Sequence, residues 1–296
     1  MASRRVFWSL CLGVCMACPA GGETPAADAG AEPPNPEFTV ARKVLHEIFS
    51  ASNCGPCFET EERLAAIWEA FPDQFTVVDY QVGSDRYITN EAVARRYHYL
   101  PEGSESYSIP WAVADGVNSF HPNLWHAEDG VDADHYNLDD FERFASVPSH
   151  LKIEVDHRVD GQTVTIDWSI TAGADFNSDN LVVYVAINEK TTSANVGSNG
   201  LTEFHHVMKK MVPNRQGSRL GTLRAGDIIE DTYTYEFMGD YDPNTGLPST
   251  RVPPEERKHY VDHRTAHTVE EFDDLEVVVW VQDTLTDEVH QSEWSQ

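Results

Sequence analysis

Cysteine is the residue type in this chain with the clearest capacity for covalent chemistry, and its five copies fall into two groups. Cys11, Cys15 and Cys18 lie near the start, while Cys54 and Cys57 stand together as Cys-Gly-Pro-Cys inside "SASNCGPCF". Three chemistries are open to a pair at that spacing: a working redox couple, half of a metal site, or an inert staple. A structural zinc site needs four ligands. His121, His126, His135, His205 and His206 are available to complete one, but none has ligand spacing with the two cysteines. An inert staple closing so short a loop would save little unfolded-state entropy. The redox couple is therefore the reading that uses the pair best, and no cofactor beyond the Cys54–Cys57 disulfide is expected. "GDYDPNTG" offers Asp240, Asp242 and Asn244 at alternate positions, as calcium loops do. Its glycine falls one residue late and Arg251 stands where the bidentate glutamate belongs, so a polar loop is the reading and calcium the minor option. No serine-type triad, phosphate loop or dinucleotide fingerprint is present.

The elements that must position the pair can be read on either side of it. "ARKVLHEIFSAS" carries an apolar run of strand length from Val44 to Phe49. "CFETEERLAAIWEAFPD" places Leu64, Ile67, Trp68 and Phe71 at helical spacing, with acidic residues in the first turn and Pro72 just past the end. The pair thus joins a buried strand to an amphipathic helix. There, unpaired backbone N–H groups favour a thiolate at Cys54, while Cys57 should be the more buried partner. "FTVVDYQV" reads as a second strand and "TNEAVARRYHYL" as a helix. "YSIPWAVADGVNSF" reads as a hairpin turning at Asp115-Gly116, and "ADHYNLDDFERFAS" as a closing helix. This order predicts an α/β layer domain over 38–147.

Beyond Pro148 the texture changes to alternating apolar and polar residues: "LKIEVDHRVDGQTVTIDWSI", with Asp160-Gly161 as a turn, then "NLVVYVAINE", "DIIEDTYTYEF" and "LEVVVWVQDTLTDEVHQSEW". Short strands at this spacing predict an antiparallel β-sandwich over 148–296. The opening "MASRRVFWSLCLGVCMACPAGGE" joins Arg4 and Arg5 to an apolar run, which reads as an export signal over 1–17. Met16-Ala17-Cys18 resembles the end of a bacterial lipobox, with Cys15 where leucine is usual, so Cys18 is a candidate lipidation site. "PAGGETPAADAGAEPPNP" would follow as a disordered tether, completing 18–37. The net charge of −28, about −30 once Arg4 and Arg5 are removed, repels nucleic acid and anionic lipid. Membrane contact is expected through the lipid anchor alone, and export into an oxidising compartment lets a dithiol cycle with its disulfide.

Cys54-Gly55-Pro56-Cys57 between strand and helix resembles the thioredoxin superfamily, although Asn53 stands where thioredoxins carry tryptophan. That resemblance implies a cis-proline facing the pair, with Pro110 in the matching place. The spacing from Cys57 to Pro110 implies an insertion around 83–108. It also implies a buried acid taking the proton of the resolving cysteine, a role for Glu47, which shares a strand face with Leu45 and Phe49; burial would raise its pKa. Nearly the whole mature chain is similar to the 28 kDa outer membrane protein (Omp) family of bacterial lipoproteins. The residues that carry the likeness are "VLHEIFSASNCGPC" with Glu47, then His205, His206 and Val207, and more loosely Lys209.

The resulting expectation is an α/β thioredoxin-like domain followed by an all-β, immunoglobulin-like antiparallel sandwich. The activity expected is that of an exported thiol–disulfide oxidoreductase acting on protein disulfides and dithiols, served by a redox partner protein. The expected location is the cell envelope, as an outer-membrane lipoprotein or as a soluble periplasmic or secreted form. The alternative is a cell-surface binding lipoprotein whose β-sandwich is the working module. Direction of electron flow, substrate and oligomeric state are not written in these motifs.

Overall fold

The structure, a computed structural model, describes residues 37–83, 85–100, 108–120, 138–237 and 269–295. The export segment, Cys18 and its tether, His121, His126, His135 and the loop bearing Asp240, Asp242 and Asn244 lie outside the described residues. From β1 (Val44–Ser50) the chain enters α1 (Cys57–Ala70), β2 (Phe75–Gln81), α2 (Asn90–His98), β3 (Trp111–Ala114), β4 (Asn118–Phe120) and α3 (Leu138–Ala145). It continues through β5 (Leu151–Asp160), β6 (Thr163–Ala172), β7 (Leu181–Thr192), β8 (Phe204–Val212), β9 (Ser218–Arg219), β10 (Ile228–Glu236), β11 (Leu275–Asp283) and β12 (Val289–Trp294).

Local chemistry accounts for the boundaries. Thr89 caps α2, its hydroxyl accepting the Ala92 N–H at 2.9 Å. The turn between β3 and β4 has positive φ at both Asp115 and Gly116, as an Asp-Gly hairpin requires. β1 and β2 run parallel, and β1 pairs with β3 antiparallel.

One mixed sheet carries most of the chain, in the order β12-β11-β7-β8-β2-β1-β3-β4, with β9 on β7; a smaller sheet has the order β10-β6-β5. The boundary expected near Val147 falls between α3 and β5, but the large sheet is shared across it. β8 joins β2 in parallel where Asp79 lies opposite Val207. All other pairings among β5–β12 are antiparallel.

β7 and β11 are buried on both faces, which is why each reads as an unbroken apolar run and not as an alternation. Val183, Val185 and Ile187 meet Ile153, Ile166 and Ile170 of the smaller sheet. Val182, Tyr184 and Ala186 share a second core with Leu45, Phe49, Tyr80 and Ala92 of α2. On the other side of β1 and β2, Val44, Ile48 and Val77 pack with Leu64 and Ile67 of α1 and Phe141 of α3. The smaller sheet and the α1/α3 pair therefore cover one face of the large sheet, and α2 covers the opposite face.

Ile187 is fully buried between the sheets. Ile187→Ala should lower the unfolding free energy by about 2–5 kcal/mol. Urea titration should show that loss equally by tryptophan fluorescence and far-ultraviolet dichroism, because β7 serves both cores. A fluorescence transition left in place would mean that the cores unfold separately.

Candidate functional site

β1 delivers the chain to Ala51, and a tight turn follows in which the Cys54 N–H donates to the Ala51 carbonyl at 3.0 Å. Cys54 and Cys57 are joined as a disulfide. α1 begins at Cys57 itself with Pro56 at its N-cap, so Cys54 stands in the turn just ahead of the helix N-terminus. Cys57 is 1% exposed and Cys54 9%, the order that a resolving and an attacking thiol require. Ile109 packs against Ala51, Cys54 and Cys57, and its peptide bond to Pro110 is cis. The structure thus joins Cys54 to Cys57 and sets Ile109, the residue before Pro110, against them.

Glu47 does not join them. It faces α2, on the opposite side of the sheet from α1, and is fully buried. Arg95 grips its carboxylate twice, Nε to Oε1 at 2.5 Å and Nη2 to Oε2 at 2.8 Å. Tyr80 donates a further bond to it at 2.9 Å, and the Tyr99 hydroxyl donates another. Burial alone would raise this pKa, but the charge and hydrogen bonds of Arg95, with those of Tyr99 and Tyr80, bring it below its ordinary value. The expected raised pKa is therefore overturned: Glu47 is an ionised half of a buried ion pair. Gln282 of β11 accepts from Arg95 at 2.6 Å, and the rings of Tyr99 and Tyr184 lie 4.8 Å from the guanidinium carbon.

Glu61 and Asp79, two acids on the α1 side, are ones that sequence reasoning missed. Glu61 follows Cys57 by four positions and so shares its helix face. Asp79 is buried under α1, accepting from the Ser50 hydroxyl at 2.8 Å and the Gln81 amide at 2.5 Å. Burial, with the nearby Glu61 charge, lifts its carboxyl well above the ordinary range despite those bonds. Burial likewise pushes Glu61 to about 7, against the pull of His206. A charged residue inside the apolar strand "FTVVDYQ" was the visible signal.

The two histidines of β8 divide. His205 is exposed, while His206 takes a left-handed φ of 57° and binds Glu276 through Nδ1 at 2.7 Å, between the rings of Trp68 and Trp294. Lys209 is fully buried, 3.0 Å from Glu189 and 3.4 Å above the Tyr87 ring. The contacts of His206 and Lys209 are with Glu276, Glu189 and these rings. Among the described residues no group of three or more His, Cys, Asp or Glu is arranged to hold a metal ion, and no helix is long and apolar enough to cross a membrane.

No family model matches the chain, and no curated protein does. Solved structures align with most of its length. HBP35 of Porphyromonas gingivalis aligns with 86% of this chain and 75% of its own, at 11% identity and a TM-score of 0.57. Protein AGR_C_4864 from Agrobacterium tumefaciens aligns with 86% and 95%, at 17% identity and a TM-score of 0.47. The first likeness is one of fold; the second is too loose to carry an argument.

Two measurements probe these acids. Arg95→Met strands the Glu47 carboxylate and should cost about 3–5 kcal/mol in urea unfolding at pH 7, with Glu47→Leu added to Arg95→Met recovering at least half. A neutral single variant would show that the carboxylate had found water. For Glu61, the folded state keeps a proton that the unfolded chain releases near 4.5, so its contribution is complete below 4.5 and lost as pH rises through about 7. Glu61→Gln should flatten the fall in stability across that window and be the more stable protein above it; an unchanged slope would contradict the burial of this carboxyl.

Proposed function

We propose that the chain is an exported thiol–disulfide oxidoreductase acting on protein disulfides, with a thioredoxin-like layer around α1 and an immunoglobulin-like pair of facing sheets behind it. The observation that carries the reading is the Cys54–Cys57 disulfide between a buried strand and a helix N-terminus, packed against Ile109 beside cis Pro110. The parallel β1/β2 pair flanked by the antiparallel β3/β4 hairpin supports the thioredoxin-like assignment. Export and a lipid anchor at Cys18, with membrane contact through that anchor and an outer-membrane location, belong to the same proposal.

The exchange proceeds in two steps. A substrate thiolate attacks Cys54 Sγ, forming a mixed disulfide while the Cys54–Cys57 bond breaks and Cys57 leaves as a thiolate that takes up a proton. A second substrate thiol gives up its proton and attacks its own half of the mixed disulfide, so that Cys54 departs and the substrate is oxidised as the protein is reduced. The reverse sequence reduces a substrate disulfide. The carboxyls on the Cys57 side, Glu61 and Asp79, take the proton-handling place first considered for Glu47.

The rival reading, a binding lipoprotein with a structural disulfide, draws support from the burial of both sulfurs. Equilibration of the purified protein in glutathione buffers separates the two. A reversible couple between roughly −120 and −270 mV is expected for the oxidoreductase, whereas a pair locked below about −300 mV makes the disulfide structural. Cys57→Ser should also accumulate a mixed disulfide at Cys54 when offered an oxidised protein substrate, and a failure to trap any adduct would count against exchange.

A further inference from the structure

The segment leading into Cys54 is held from the far half of the chain. Between β7 and β8, residues 193–201 start from a firm base. The Glu270 carboxylate accepts the Ser193 and Ala194 N–H groups at 3.0 and 2.8 Å, and Arg86 donates to the Ala194 carbonyl at 3.0 Å. Asn195, fully buried, accepts from Thr192 at 2.8 Å. The loop then lies over Ala51 and Ser52. The Asn199 N–H donates to the Ser52 carbonyl at 3.1 Å, and its side-chain amide donates to the Ala51 carbonyl at 3.4 Å. That Ala51 carbonyl is the one that also receives the Cys54 N–H. Asn199 is itself oriented by the Leu201 N–H, which donates to its side-chain oxygen at 3.0 Å.

Gly197 is required there by proximity. A Cβ at this position would collide with the Ser52 carbonyl, its carbon only 2.7 Å away. The Ser52 N–H is fastened from the other side by Asp85 at 2.7 Å. Both peptide groups of Ser52 are therefore committed, one to the β2–α2 connection and one to the β7–β8 loop. Val196, Gly197, Ser198 and Gly200 are exposed, so this stretch adds little to any core. It meets the turn before Cys54 through hydrogen bonds to backbone.

We propose that the β7–β8 loop is a positioning element of the Cys54–Cys57 couple, in which Gly197 and Asn199 clamp the Ala51–Ser52 turn and so hold Cys54 beside Cys57. The proposal rests on the redox reading above. Closing a disulfide requires two sulfurs to be kept together, and a chain already ordered by other contacts loses less freedom on closure. Clamping the turn raises the effective concentration of one thiol at the other and favours the oxidised form. Releasing it should favour the dithiol.

The test is the equilibrium constant for disulfide formation against glutathione, measured on the full protein, Asn199→Ala, Gly197→Ala and Val164→Ala. Val164 lies in the core of the smaller sheet, away from the turn, and controls for loss of stability alone. Asn199→Ala should lower the constant about three- to tenfold, tenfold being about 30 mV upward in potential, and Gly197→Ala should move it the same way. Val164→Ala should stay within twofold while unfolding at lower urea. If Gly197→Ala fails to fold, Asn199→Ala decides. Loop variants within twofold of an exchanging parent overturn this inference and leave the redox reading standing. A parent that never equilibrates with glutathione removes both.

Discussion

A carboxylate with no exposed surface sits in the middle of β1, and much of the fold answers to it. An unpaired charge in that position would cost several kcal/mol, so Glu47 must be met by a cation and by enough donors to fill its lone pairs. Arg95 supplies the cation from α2, Tyr80 a donor from β2, and Tyr99 another from just beyond α2. The guanidinium in turn needs acceptors and ring faces, which come from Gln282 and Trp280 of β11 and Tyr184 of β7. One desolvated charge therefore ties α2 to four strands, two from each half of the sequence. That is a physical reason for the large sheet to cross the boundary at which the sequence texture changes.

The same sheet buries acid in the opposite way on its other face. Asp79 and Glu61 have hydroxyl and amide donors or a histidine in place of a bidentate arginine, and their carboxyls rise. Glu47 with its arginine falls. Two environments within one layer thus separate carboxyls into an ionised group that anchors packing and two that hold their protons more tightly than usual. The second kind lies on the side where α1 begins with Cys57, away from the ion pair that holds the sheet.

The order of strands and helices is legible in the sequence because periodicity, the Asp115-Gly116 turn and the Cys-x-x-Cys junction are local signals. The face of β1 that carries Glu47 is legible too, since Leu45 and Phe49 mark it. Its pKa is not, because the deciding partner, Arg95, acts across a tertiary contact and nothing in "TNEAVARRYHYL" says which arginine turns inward. Sheet continuity is equally hidden: β8 meets β2 where Asp79 lies opposite Val207, and no periodicity specifies such a partner. His206 was visible as half of a His-His pair, but its left-handed backbone, which turns the ring toward Trp68 and Trp294, could not be read from residue types.

The loop closed by Cys54 and Cys57 is so short that the disulfide constrains the unfolded chain little. Its contribution to global stability is therefore small, and what the surrounding structure can control is the balance between its two redox states. Control of that kind must act on the few residues free to differ between those states. Cys57 is already fixed as the first residue of α1, so the adjustable part is the turn from Ala51 to Cys54. The β7–β8 loop bonds to that turn. By linkage, contacts that favour the disulfide are themselves favoured by it, so order in the loop and oxidation of the pair rise together. A C-terminal half that bonds in this way to the turn before the cysteines is more than a passive neighbour of that turn.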